Sequence, residues 1–286
     1  MKKRFDKIYL EISNVCDLAC SFCPGTRRPP RVMSPEEVSF LLPRLAPYTD
    51  ELYFHLMGEP LCHPQLGELL ALAGQAGFRV SLTTNGVSLP GKVSLLLAAP
   101  ALRKLNISLH ALEANDIPLS FSQYVEGCCS ACQLLRQRIP VIFRLWNGGV
   151  ETNRNGEVLA LLERHFPRPW APQRYGFRLA DRVFLHYENR FTWPDLSAPA
   201  TEGRVFCRGL RDQLGILCDG TVVPCCLDHD GSIPLGNLFR QELEEVLSSP
   251  RTQALARGLL DGSTQEPLCR RCGFAASRFG SPSQKA

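Results

Sequence analysis

Three cysteines, Cys16, Cys20 and Cys23, stand within eight residues in the stretch Val-Cys-Asp-Leu-Ala-Cys-Ser-Phe-Cys-Pro. A CxxxCxxC loop can bind one soft metal centre without long-range chain closure, and its spacing is more restrictive than a lone CxxC. An iron-sulfur cube normally takes four cysteines, so three point to a 4Fe-4S cluster with one iron open to a substrate or cofactor. An open coordination position marks chemistry rather than scaffolding, as it does in catalytic zinc sites. A zinc knuckle, or three reduced structural cysteines, is the other reading of this loop taken alone.

A second metal pattern lies beyond Ala198, where Pro, Gly and Cys become frequent. It comprises Cys207, Cys225, Cys269 and Cys272, the last two as CxxC. Asp219-Gly220, between two apolar runs, signals a two-residue hairpin turn. Cys225 and Cys226 are neighbours that an extended strand would point to opposite faces, so one of them faces the metal, and the spacing favours Cys225. With Thr221 as its cross-strand partner, Cys218 would lie roughly 13 Å from Cys225, too far to share one cube. A zinc ribbon built on the same four thiolates is the alternative. Cys128 and Cys132 share a face of a predicted helix that also carries Cys129; two converging thiols do not make a cluster, and with Cys62 they are read as small core hydrophobes.

The elements that must position these groups alternate. Ile8, Leu10 and Ile12 alternate with polar residues and predict a strand over Ile8–Ser13, leading into the cysteine loop. Ser34-Pro35-Glu36-Glu37 carries an N-cap, a first-turn proline and a capping-box glutamate, opening a helix that Pro43 shortens or kinks. Strands follow at Glu51–Met57, Phe78–Thr84, Lys104–Ser108, Pro140–Trp146 and Arg178–Leu185. Helices are expected at Gln65–Ala76, Lys92–Ala99, about Ser122–Arg138 and Glu157–His165. Six βα-type units imply parallel strands with functional groups at their C-terminal ends.

The 286-residue chain is 44% hydrophobic and 21% charged, enough for a full core. No apolar run approaches the ~20 residues of a membrane span, and the basic N-terminus leads into a charged strand rather than a signal segment. Thirteen cysteines without a signal peptide argue for a reducing, cytoplasmic setting where thiols bind metals. The net charge of +4 is dispersed, which disfavours a nucleic-acid partner.

The first loop, with Phe22 just before its third cysteine and directly after a first strand, resembles that of the radical S-adenosylmethionine (SAM) enzymes. The resemblance implies Cys16, Cys20 and Cys23 as cluster ligands, with the methionine amino and carboxylate groups of SAM on the open iron. It also implies a partial (βα)6 TIM-type barrel over residues 1–197, α/β in class. Gly58-Glu59-Pro60 after the second strand resembles the family motif whose backbone binds the SAM amino group, and a glycine turn lets an ammonium approach closely. Thr83-Thr84-Asn85-Gly86 resembles a family turn, and Ser108 ends the fourth strand where relatives use a serine to contact SAM. Residues 198–286 resemble the shortened, twitch form of the SPASM extension, including Gly236-Asn237; the full form carries seven cysteines for two clusters, the short one a single auxiliary 4Fe-4S cluster.

The chain departs from relatives that place an arginine about a dozen residues after that serine: Ser120 stands there, and no cation lies between Ala111 and Gln123. Arg144, an arginine in an apolar strand, needs an anionic partner and is the candidate for the SAM carboxylate; a structural ion pair is the other reading. His186-Tyr187-Glu188-Asn189-Arg190-Phe191-Thr192-Trp193 follows the last strand and either lines a substrate site or seals a domain junction. Arg144 and Glu188 are the candidate catalytic residues. The resemblance implies reductive cleavage of SAM to a 5'-deoxyadenosyl radical and oxidation of a substrate, small molecule or peptide. It further implies a flavodoxin- or ferredoxin-type electron donor and no membrane partner. A dehydrogenase-like oxidoreductase is the leading reading and a peptide-modifying maturase the second. A non-enzymatic zinc or iron-sulfur scaffold is the reading from another class.

Overall fold

The computed structural model describes residues 3–115 and 119–279. Its strands are β1 (Lys7–Leu10), β2 (Glu51–Tyr53), β3 (Arg79–Thr84), β4 (Leu102–Ser108), β5 (Val141–Gly148) and β6 (Ala171–Gln173), then β7 (Gly176–Ala180), β8 (Val183–Asn189), β9 (Gln213–Ile216), β10 (Thr221–Val223) and β11 (Gly236–Asn237). The helices are α1 (Pro35–Leu45), α2 (Leu66–Gln75), α3 (Val93–Ala98), α4 (Phe121–Leu135), α5 (Asn155–His165), α6 (Leu243–Ser248), α7 (Pro250–Asp261) and α8 (Gly273–Phe279). The chain divides into two compact units.

One unit comprises Met1–Asn14, Pro24–Gly58 and Phe191–Ala286. Its strands run in the order β11-β10-β9-β1-β2. Ile8 of β1 pairs in parallel with Leu52 on one side and Leu214 on the other, and all three are fully buried. The capping box at the start of α1 forms as the Ser34 and Glu37 spacing dictates, and the helix continues past Pro43 to Leu45. The expected two-residue turn is corrected. Gly220 N donates to Leu217 O and Leu217 N to Thr221 O, so Cys218, Asp219 and Gly220 form the loop between β9 and β10. Gly220 takes φ +84°, the left-handed residue that closes such a three-residue loop, and Thr221 is therefore opposite Leu217 rather than Cys218.

The other unit comprises Val15–Cys23 and Glu59–Arg190. Its strands run β3-β4-β5-β8-β7-β6, the first four parallel and the last two antiparallel. The single strand expected over Arg178–Leu185 is a hairpin: β7 reverses at Asp181-Arg182, with Arg182 at φ +56°, and β8 returns parallel to β5. Asp181 and Arg182 are both exposed and interrupt the burial pattern, but a break of two polar residues between apolar stretches is too short for periodicity to mark as a reversal. β8 consequently extends to Asn189, and His186–Asn189 belong to the strand rather than to a loop after it. Ser120 caps α4 through a capping box with Gln123, one residue before the expected start. Cys128, Cys129 and Cys132 are buried on α4, whereas Cys62 is only half-buried and stands beside Asp17, so it is not a core hydrophobe.

Candidate metal and cofactor sites

The three-cysteine loop is shaped by polar side chains distant in sequence. Cys23 N donates to Cys20 O at 2.9 Å, closing the CxxC turn. Asn115 accepts from Ala19 N at 2.9 Å and donates to Cys20 Sγ at 3.1 Å. Asp17 accepts from Asn85 Nδ2 at 2.6 Å and from Ser88 Oγ at 3.4 Å. Cys16 keeps an exposed side, yet loss of water around its thiol, with Glu59, Asp17 and Cys20 nearby, pushes its pKa up to about 12. Desolvation raises Cys20 as well, against the Asn115 bond. These thiols hold their protons at neutral pH, and metal binding would release them.

The Gly-Glu-Pro turn is tied to the same polar cluster. Glu59 is buried; its Oε1 accepts from Leu61 N at 3.0 Å and its Oε2 from Asn85 N at 2.7 Å. Burial pushes its carboxyl up to about 7 in spite of those bonds. The Glu59 and Pro60 carbonyls accept from Cys62 N and His63 N, and the Glu59 N–H donates to Val15 O. Gly58, which precedes them, takes φ +74°, and its missing Cβ allows close approach to its backbone.

Strand register builds a second group. Ser108, Arg144 and His186 are paired in one row across β4, β5 and β8. The Arg144 guanidinium lies 4.5 Å from the Trp146 ring centre. The indole Nε1 of Trp146 is buried with no hydrogen-bond partner among the described residues. An indole N–H can only donate, and leaving it unmet costs about 1–3 kcal/mol, so a donor here beside a guanidinium fits an anionic ligand. His110 stacks on Phe22 with ring centres 5.1 Å apart, and its Nδ1 lies 3.2 Å from Arg144 O. Burial lowers its pKa to about 4, so it is neutral. His186 is lowered too, by burial and then by the Arg144 and Lys104 charges. The loop in which relatives carry an arginine includes residues 116–118, which lie outside the described residues.

In the other unit, Cys225 is desolvated and its pKa is raised further by the surrounding thiols of Cys226, Cys207, Cys269 and Cys272. Gly209 N donates to Cys207 Sγ and Ala275 N to Cys272 Sγ, each at 3.4 Å. Backbone N–H groups aimed at sulfur stabilise thiolate ligands, so the chemistry of these thiols suits an iron-sulfur cluster, while among the described residues no three Cys, His, Asp or Glu side chains are placed to hold a single metal ion. Cys226 differs: its thiol meets Tyr9 and feels Lys7, though it also lies within reach of Cys272. Cys218 sits instead beside Arg28 Nη1 at 3.6 Å. The stretch after β8 divides, with Phe191 against Phe274 at 5.2 Å and Trp193 against His229 at 5.8 Å, so these rings pack on the cysteine-rich region.

Asn115, His110, Trp146 and Asp17 escaped the sequence reading. Of these only Asp17, directly after the first cysteine, carried a local signal.

The profile of the radical SAM superfamily matches residues 10–162, and that of the SPASM iron-sulfur cluster-binding domain matches residues 207–273. A GTP 3',8-cyclase of Marinobacter nauticus is 33% identical over 134 residues, 43% of this chain and 40% of the cyclase. An AdoMet-dependent heme synthase of Methanosarcina barkeri is 27% identical over 108 residues, 37% of this chain and 31% of the synthase. The chain thus spans less than half the length of these curated relatives. The crystal structure of BtrN in complex with AdoMet and 2-DOIA superposes with a TM-score of 0.62 at 16% identity, covering 95% of this chain and 94% of BtrN. Streptococcus suis SuiB bound to precursor peptide SuiA gives 0.65 at 13% identity, covering 95% and 76%. These likenesses show the fold, a partial TIM-type α/β architecture with a C-terminal SPASM region. No helix among the described residues is long and apolar enough to cross a membrane.

Proposed function

The chain belongs to the radical SAM superfamily, and from that premise we propose that it is an oxidoreductase that removes two electrons from a substrate with the help of one auxiliary 4Fe-4S cluster. Membership makes SAM and a 4Fe-4S cluster its cofactors, and the SPASM domain adds auxiliary iron-sulfur chemistry. When bound, these groups supply hydrogen-atom removal from a substrate and an acceptor for its second electron.

The chain's own residues hold and shield that chemistry. Cys16, Cys20 and Cys23 would hold the first cluster, to which SAM would bind. The Met57-Gly58 backbone receives the SAM ammonium, with Glu59 and Pro60 shaping the turn, and Ser108 and Arg144 receive its carboxylate. Phe22 and neutral His110 form an apolar wall beside them. Glu188, two positions beyond His186 on the same face of β8, is the candidate proton acceptor. The proposed division is a core over residues 1–197 and an auxiliary region over 198–286.

What supports the oxidoreductase reading is that the thiols of Cys226, Cys207, Cys269 and Cys272 are all near enough to Cys225 to raise its pKa, which is enough thiols to hold one cube. Four cysteine ligands would leave a cube no open position for a substrate, and a cluster held that way would supply an electron acceptor. The electron donor in this reading is a flavodoxin- or ferredoxin-type protein. Anaerobically purified protein should be brown, contain about eight irons as two cubes, and form 5'-deoxyadenosine with SAM and dithionite. A colourless zinc protein that forms none would overturn the proposal.

A further inference from the structure

The stretch leaving the cysteine loop carries Arg27, Arg28 and Arg31, and Arg28 meets a buried carboxylate. Arg28 Nη1 and Nη2 donate to the two oxygens of Glu11 at 2.8 and 2.7 Å. Glu11 is 0% exposed and the Arg28 side chain 14%. The same carboxylate accepts from Met57 N at 3.2 Å and Cys218 N at 3.0 Å. Four donors on one carboxylate fill its acceptor capacity, as a charge taken out of water requires.

The surroundings fix the pair in place. Arg28 Nε donates to His229 O at 2.9 Å, and Arg31 Nε to Cys218 O at 2.6 Å. Thr26 Oγ1 and Arg27 N donate to Asp230 Oδ1, each at 2.9 Å, and Arg27 Nε to Oδ2 at 2.8 Å. Both ends of the cysteine loop are fastened together: Asn14 N donates to Arg31 O, Arg31 N to Asn14 Oδ1 and Met33 N to Ile12 O. One carboxylate therefore joins the strand entering the loop, the stretch leaving it, the residue before Gly58, and the β9–β10 loop of the cysteine-rich region.

Apolar replacement of a buried ion pair is often neutral for stability, and what sets this pair apart is that its carboxylate also holds the backbone N–H beside Gly58. We infer that Glu11 and Arg28 are positioning residues that hold the Met57-Gly58 backbone ready to receive the SAM ammonium, an inference that rests on the proposed role of that turn. Without Glu11 the Met57 N–H loses its acceptor and the turn is free to rotate its carbonyls away.

The test measures SAM affinity of the cluster-loaded enzyme by equilibrium dialysis, alongside iron content and the spectral change of the reduced first cluster on adding SAM. Glu11→Leu combined with Arg28→Met leaves no buried charge and no acceptor for Met57 N, and Arg28→Lys keeps the charge while losing the planar fork. The double variant should keep parental iron content and bind SAM roughly tenfold more weakly, the size of one lost charge-assisted bond. Its spectral change should need correspondingly more SAM, and Arg28→Lys should fall between it and the parent. Unchanged affinity in both variants, or weakened binding that merely tracks lost iron, would overturn the inference. Because dialysis reads binding and not turnover, absence of 5'-deoxyadenosine from the parent would count against the proposed function alone.

Discussion

The two cysteine-rich regions bring their proposed ligand sets together by opposite routes. In the first, Cys16, Cys20 and Cys23 lie on one short loop, and the fold contributes neighbours: Asn115 on Cys20, and Asn85 on Asp17. In the second, Cys225 lies near the thiols of Cys226, Cys207, Cys269 and Cys272, so the proposed ligands come together only through the fold. A local loop can supply three thiolates and stop, which keeps an iron available for chemistry. A set gathered from distant segments closes around its metal and couples metal binding to folding.

That contrast predicts different failures. Replacing Cys16, Cys20 and Cys23 together by alanine should abolish 5'-deoxyadenosine formation while the second region keeps its iron, read by iron analysis and product chromatography. If the second cluster is lost too, the regions are not separable.

Cys225→Ala should then lower auxiliary iron and stop substrate oxidation while SAM cleavage persists. Cys226→Ala, which removes a thiol that meets Tyr9, should retain both clusters. The reverse outcome would exchange the two neighbours in the ligand set without disturbing the comparison.

A third difference concerns pH. His110 has its folded pKa depressed to about 4 by burial, below the ordinary value of 6.5. Its contribution is fully present above pH 6.5 and is lost as pH falls through 4, up to about 3 kcal/mol across that window. His110→Phe should flatten the acid limb of stability, measured as anaerobic urea midpoints between pH 7.5 and 5. An unchanged slope would show that other groups set it.

The smallest expected effect is at Arg144. Arg144→Lys keeps charge but loses the guanidinium plane that lies over Trp146, so SAM affinity should fall roughly tenfold with cluster content intact. Loss of fold with unaltered affinity would return Arg144 to a structural role.

The sequence by itself determined what depends on short spacing. The three-cysteine loop, the α1 capping box and the alternation of helix and strand up to α5 are set by residues within a few positions of each other, where local geometry leaves few solutions. Short-range reasoning failed where a reversal costs only two or three residues. The hairpin at Asp181-Arg182 and the three-residue loop at Gly220 both depend on a single left-handed backbone angle, invisible to periodicity. Only tertiary structure decided which polar groups meet the cysteines and which residues join Ser108 and Arg144 in one row. Asn115 lies 95 positions from Cys20, and Glu11 lies 207 from Cys218. Buried donors and carboxylates must find partners wherever the packed chain brings them, so their roles are written in the fold rather than in any stretch of sequence.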